Sequence, residues 1–299
     1  MSVNIETLFE LLRLDSPSGD EGVIADWIDA WVRRNCPQAR LARLGDSLIA
    51  LRGEHPSTAI YAHIDTTGFT LGYDRRLISI GSPAPEDGTP VRQKNGPLTG
   101  VVREREDVWE LDGVDGVPGT RWVYAAEPKL EGDELRSPYL DNRAGVWAAL
   151  TALRRCPSIA VAFTTGEEHS GQGAFVCARY LYENYAVDQA LISDITWDTA
   201  HVHRGKGVAI SLRDRMTPRQ RFLDRVLDLA ERTGIPFQRE IESSGGSDGA
   251  YLQRSGFPID WVFVGAPEKD PHSDHEVVDV RDLQSMSDML AALVEGLEK

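Results

Sequence analysis

Five times in this 299-residue chain, a short apolar run or a helix start meets a cluster of carboxylates, most with histidine. The clusters are AHIDTTG at 62–68, YLDNRAG at 139–145, TTGEEHS at 164–170, ISDITWD at 192–198 and DPHSDHE at 270–276. Such a chain calls for a fold that collects strand ends from distant positions at one edge. A largely parallel sheet does this, because the carboxyl ends of its strands lie side by side.

The rest of the pattern agrees. NIETLFELLRL at 4–14 has helical spacing with Asn4 as a cap, and VIADWIDAWVRRNC resumes that period. SLIALRG and STAIYAHID are short strand-like runs. From Gly68 to about Pro138 no helix is convincing; short pieces such as FTLGYD and RWVYAA are broken by glycine, proline and aspartate turns. Helices and strands then alternate again, from NRAGVWAALTALRRC through SIAVAFTT to a last helix from about Val280. Thr217-Pro218 is expected to cap the helix RQRFLDRVLDLAERTG. The expectation is an α/β sandwich of residues 1–67 plus 134–299, with an inserted β-rich domain at 68–133.

Composition narrows the partners. The formal charge of -15 and the lack of a basic block argue against nucleic acid held by its phosphates. No segment approaches the apolar length of a membrane span. Cys36, Cys156 and Cys177, without a CxxC pair, read as buried thiols of a cytoplasmic protein.

The clusters offer imidazole and carboxylate and no thiolate, a donor set suited to zinc, cobalt or manganese. Each has a plain reading when taken singly. Asp141 can cap the following helix, adjacent glutamates usually form a solvated face, and an HxD is often a hydrogen-bonded pair. His201 and His203 fit ordinary hydrogen-bonding roles. Their joint placement at strand ends is what favours a metal centre.

In order along the chain, SPSGDE, the HxD at 63–65, LDNRAG, GEEHSGQGA, SDITWD, GKG, GGSDGAY and HSDHEVVDVRDL resemble the M42 metallo-aminopeptidases. These are the glutamyl and related TET-type enzymes, among the co-catalytic zinc exopeptidases that include M28 and M20. The β-rich tract after HxD fits the M42 position of the insert. Departures are Thr66 after the HxD, EEHS after the strand, and a short insert. The resemblance implies a three-layer α/β/α zinc-exopeptidase core of the phosphorylase/hydrolase-like kind, carrying a small inserted β-rich domain.

The resemblance further implies two divalent ions per subunit, zinc first, with cobalt or manganese as alternatives. It makes His63 and Asp194 ligands of one ion, Asp141 the bridge, and Glu168 and His272 ligands of the other. Glu167 becomes the general base, and Asp65 the partner that orients His63. Asp248 is a supporting group or a helix cap, and His275 matches no ligand position. The implied activity removes N-terminal residues from short peptides, in a cytoplasmic homo-oligomer without nucleic-acid or membrane partners. An amidase or deacylase of small acylated substrates is the alternative reading; a catalytically silent metal-binding protein is a further one.

Overall fold

The computed structural model describes residues 4–298. Helix α1 (Ile5–Leu12) starts at Asn4, whose side chain accepts a hydrogen bond from the Glu6 amide, and α2 spans Gly22–Asn35. Strands β1 (Arg40–Leu44), β2 (Ser47–Arg52) and β3 (Thr58–His63) follow. The middle of the chain forms β4 (Gly68–Leu71), β5 (Leu77–Ile80), β6 (Pro90–Gln93), β7 (Thr99–Arg105), β8 (Val108–Asp112) and β9 (Arg121–Tyr124). A hairpin, β10 (Lys129–Glu131) and β11 (Glu134–Arg136), leads to α3 (Leu140–Arg155) and β12 (Ile159–Thr164). Next come α4 (Gln172–Tyr185), β13 (Gln189–Trp197), β14 (Val208–Ser211), α5 (Gln220–Thr233) and β15 (Phe237–Glu240). The chain closes with α6 (Asp248–Arg254), β16 (Asp260–Lys269), β17 (Val277–Asp279) and α7 (Val280–Leu297).

The large sheet runs β1-β2-β12-β3-β13-β16-β17-β11-β10, with β14 pairing β16 and carrying β15. At its centre β12, β3, β13 and β16 are parallel, so these strands end at the same edge. Their side chains alternate between two cores, as the two-residue strand period requires. Leu48, Ala50, Ile60, Val161 and Phe163 face one core together with α1, α2, α3, α5 and α7. Ile49, Leu51, Tyr61, Ala160 and Ala162 face the other, with α4 and α6. That alternation makes three layers, and it explains why these strands read as nearly unbroken apolar runs.

One cap differs from expectation. Helix α5 begins at Gln220 with Arg219 as its N-cap, so Thr217 and Pro218 lie upstream of it. Arg219 has extended backbone, so the helical turn cannot continue back through it to Thr217 and Pro218; its side chain pairs with Asp260 at 3.0 Å.

Strands β4–β9 form a separate six-stranded antiparallel sheet with its own small core around Phe69, Val102 and Trp122. The hairpin β10–β11 instead pairs with β17 in the large sheet, so the second sheet itself ends at Tyr124. The second sheet rests on the main body through an Arg92–Asp15 ion pair and a Lys94–Asp20 pair at 2.6 Å. All three cysteines are buried and unpaired. Among the described residues, no helix is long and apolar enough to cross a membrane.

Candidate metal centre and active site

The shared strand edge does what the sequence pattern requires. His63 is the last residue of β3, and Asp194 lies late in β13, its parallel neighbour. Asp141 enters from the first turn of α3, where non-helical backbone at Asp141 and Asn142 turns the carboxylate away from the helix. Asn142 locks that turn by donating to the Ser193 carbonyl at 2.9 Å and accepting from the Gly145 amide at 2.9 Å. Gly145 packs so closely that a Cβ there would lie 2.2 Å from the Ser193 carbonyl oxygen.

Two groups of ligand-type atoms result, each within 4.8 Å of one another: His63, Asp141 and Asp194, and Asp141, Glu168 and His272. His63 Nε2 lies 3.0 Å from Asp141 Oδ1 and 3.6 Å from Asp194 Oδ1. His272 Nε2 lies 3.2 Å from Asp141 Oδ2 and 3.6 Å from Glu168 Oε2. The five residues assigned as ligands from sequence therefore converge, and Asp141 belongs to both groups.

The adjacent glutamates sit on a turn closed by glycine. Gly166 has φ +72°, and its carbonyl accepts from the Ser170 amide at 2.7 Å. Gly171, with φ +66°, lies against the Tyr251 ring, where a Cβ would come within 2.1 Å. Asp65 pins this turn: its two carboxylate oxygens accept from the amides of Glu167 at 3.0 Å and Glu168 at 3.1 Å. Ser18 donates its hydroxyl to the same carboxylate. By contrast, His63 Nδ1 stands 3.5 Å from Asp65 Oδ1 and 3.3 Å from Asp65's own carbonyl. Asp65 thus grips the glutamate turn more directly than the imidazole.

The electrostatics call for cations. Burial pushes Glu167 well above the usual carboxylate range, with neighbouring carboxylates adding to the effect against the pull of His63. Burial and the charge on Asp141 raise Glu168 to about 8. Burial also raises Asp194, with Asp141 adding to it. Burial opposes ionisation of Asp141, but hydrogen bonding to His272 and His63 holds it below its usual value. Burial opposes protonation of His272 too, yet Asp141 and Glu168 raise it to about 10. Carboxyls raised together beside imidazoles raised together favour a positive charge among them. Glu168 Oε1 is buried without a hydrogen-bond partner among the described residues, and every donor is nitrogen or oxygen. The residues fit divalent ions of the zinc, cobalt or manganese type.

Sequence reasoning missed several supports. His272, itself at φ +62°, is held from the second sheet and the loop after β5: its Nδ1 meets the Ser82 carbonyl at 2.9 Å, and its carbonyl accepts the Tyr124 hydroxyl at 2.8 Å. Neither Ser82 nor Tyr124 stands in a recognisable pattern. Glu276, within the HSDHE element, is buried and accepts from the Asp141 amide at 3.2 Å. Arg143 is fully buried and donates to the carbonyls of Leu11, Ile64 and Leu14, tying the loop that carries Ser18 to the end of β3. Helical periodicity places Arg143 near the buried face, the one available signal. Asp248 is not the cap of α6; Ser247 is, and Asp248 accepts the Thr164 hydroxyl instead. His201 and His203 are exposed, and His275 pairs with Asp274 at 2.7 Å; none joins either ligand group.

A three-layer α/β/α body with two histidine-carboxylate groups at its strand edge, beside a glutamate outside both, defines the class of metal-dependent exopeptidases. The M42 glutamyl aminopeptidase model matches residues 98–289. The chain belongs to this metal-dependent family and is a peptide-hydrolysing aminopeptidase. It is 24% identical to a putative aminopeptidase of Acetivibrio thermocellus, over 97% of this chain and 99% of that one. Its fold is similar to a TET aminopeptidase from a marine sediment Thaumarchaeota archaeon, with TM-score 0.88 and 19% identity over 98% and 97% of the chains. It is also similar in fold to the Pyrococcus horikoshii TET1 peptidase, which can assemble into a tetrahedron or a large octahedral shell. That match has TM-score 0.82 and 23% identity over 97% and 98% of the chains.

Proposed function

We propose that this chain is a two-metal aminopeptidase that trims N-terminal residues from short peptides. His63, Asp141 and Asp194 would hold one divalent ion, and Asp141, Glu168 and His272 the other, zinc being the first choice for these donors. The observation that carries the reading is Asp141 shared by two ligand groups, beside a half-buried Glu167 that belongs to neither. When bound, such an ion pair polarises the scissile carbonyl and makes water acidic enough to attack at neutral pH. Glu167 takes a proton from the attacking water onto its carboxylate and returns it to the leaving amide nitrogen. Asp65 from one side and the Tyr251 hydroxyl from the other, at 3.1 Å to the Glu167 carbonyl, fix the backbone that aims it.

The same reading divides the chain into a catalytic unit, 1–67 plus 134–299, and an inserted β-rich unit at 68–133. The separate sheet of β4–β9 supports that division. Three unpaired buried thiols support a cytoplasmic location, and the fold-level likeness to TET peptidases supports a homo-oligomer.

The test pairs turnover with metal content. Metal-loaded protein should cleave unblocked aminoacyl anilides and leave their N-acylated forms intact. Glu167→Gln should abolish turnover while retaining both ions, whereas Glu168→Gln should lose one. Preference for the acylated set would point to an amidase, and full activity in Glu167→Gln would remove its role as base.

A further inference from the structure

The cavity of about 410 Å³ onto which Glu167 opens has a second wall that bond cleavage does not use. It forms where β14 and β15 end. Ser211, the last residue of β14, pairs with Glu240 of β15 on one side and Phe263 of β16 on the other. The adjoining loops add Asp214 and Glu242 to the same wall.

These carboxylates lack a cation. Asp214 is only 5% exposed; its Oδ1 accepts from the Met216 amide at 2.5 Å, while Oδ2 has no partner among the described residues. Glu240 is also 5% exposed and accepts the Thr196 hydroxyl. Burial pushes both above their usual range. Glu242 accepts from the amides of Ser243 at 2.5 Å and Ser244 at 2.9 Å, and these bonds hold it below its usual range and ionised. Arg215 is the one lysine or arginine side chain lining the cavity among the described residues. It is exposed and packs on the Gly246 backbone, and its charge pulls Asp214 down only weakly against burial. Three carboxyl groups face one guanidinium on this wall, so a second cation there would not lack acidic partners. Tyr251 and Phe263 line the same cavity with apolar surface.

We propose that this wall receives the side chain of the substrate's N-terminal residue and selects a basic one, lysine or arginine. The aliphatic stem lies along Phe263 and Tyr251, and the cationic head completes the Asp214, Glu240 and Glu242 set. This rests on the aminopeptidase reading of the neighbouring centre. A long basic side chain suits the wall because its stem is apolar and only its end carries charge.

The test compares Lys-, Arg-, norleucyl- and Glu-p-nitroanilide with the metal-loaded protein. Lysyl and arginyl substrates should exceed norleucyl by about tenfold or more in kcat/KM, with glutamyl lowest. Asp214→Asn and Glu242→Gln should each lower the lysyl-to-norleucyl ratio by about tenfold. Glu242 lies at the partly exposed rim, so its variant remains informative if the buried Asp214 change impairs folding. Norleucyl or glutamyl turnover equal to lysyl would overturn the proposal, as would a ratio unchanged in Glu242→Gln. Loss of turnover on all four would instead reject the aminopeptidase reading. Calorimetric binding of L-lysinol against L-norleucinol then decides the pocket independently: tighter lysinol supports it, and equal binding overturns it.

Discussion

The two ligand groups meet at Asp141 but are held in different ways. His63 and Asp194 stand on neighbouring parallel strands, with side chains only 2% and 8% exposed. Their spacing is set by the backbone ladder of the sheet. His272 stands on a loop at positive φ with its side chain 25% exposed, steadied by Ser82 from the loop after β5 and Tyr124 from the second sheet. Glu168 stands on a turn that depends on Asp65. Ladder-held positions open only with the core, whereas loop-held positions open locally at lower cost. We therefore expect a tight first ion and a more exchangeable second one, with chemistry requiring both.

The largest effect should come from the residue outside both groups. Glu167→Gln should lower kcat by about 10²–10⁴-fold with two ions still bound, read by steady-state kinetics beside elemental analysis. Retained turnover would merge Glu167 with the ligands or with the scaffold. His272→Ala should release the second ion and leave the first, whereas His63→Ala should weaken the first; metal content after dialysis separates them. A smaller effect should follow Tyr124→Phe, which removes the hydroxyl that donates to the His272 carbonyl at 2.8 Å. Loss of such a support should weaken the second ion by about tenfold and spare the first. Equal loss from both would mean that the two groups are not independently held.

Asp248 should touch the comparison least. It lies behind the centre, 1% exposed, with Oδ1 unpartnered among the described residues, and burial raises it to about 7 from an ordinary 3.8. A carboxyl raised on folding binds more protons in the folded state, so stability falls as pH rises from 3.8 through about 7. Asp248→Asn should stabilise the metal-stripped protein at pH 8 by roughly a few kcal/mol, with the gain shrinking toward pH 4. Denaturant titration at the two pH values checks this; a gain independent of pH would remove the carboxyl as its cause.

Legibility in the sequence follows the same divide. His63 and Asp194 are readable as candidates because an apolar run ending in a polar cluster marks a strand end at a site. Asp141 and the Glu167-Glu168 pair stand out as polar clusters too, but their separate roles come only with the family resemblance. The layers were readable too, because nearly unbroken apolar strands alternate with amphipathic helices. The loop-borne support was not. Ser82 and Tyr124 act on a residue 190 and 148 positions away, across two sheets, and contact at that range leaves no local pattern. Asp65 stands 3.5 Å from His63 Nδ1 and also accepts from the amides of the glutamate turn, a second set of partners that HxD spacing does not announce. The exposed His201–His203 pair shows the converse: a ligand-like spacing without convergent partners forms no centre.

The difference between the two groups is tested most directly by calorimetric zinc titration of metal-stripped protein, wild type beside His272→Ala. The account predicts two ions per chain in the wild type, bound with distinct affinities, and one in the variant, bound with the tighter of the two. A single ion in the wild type, two indistinguishable affinities, or loss of both ions in His272→Ala would contradict it.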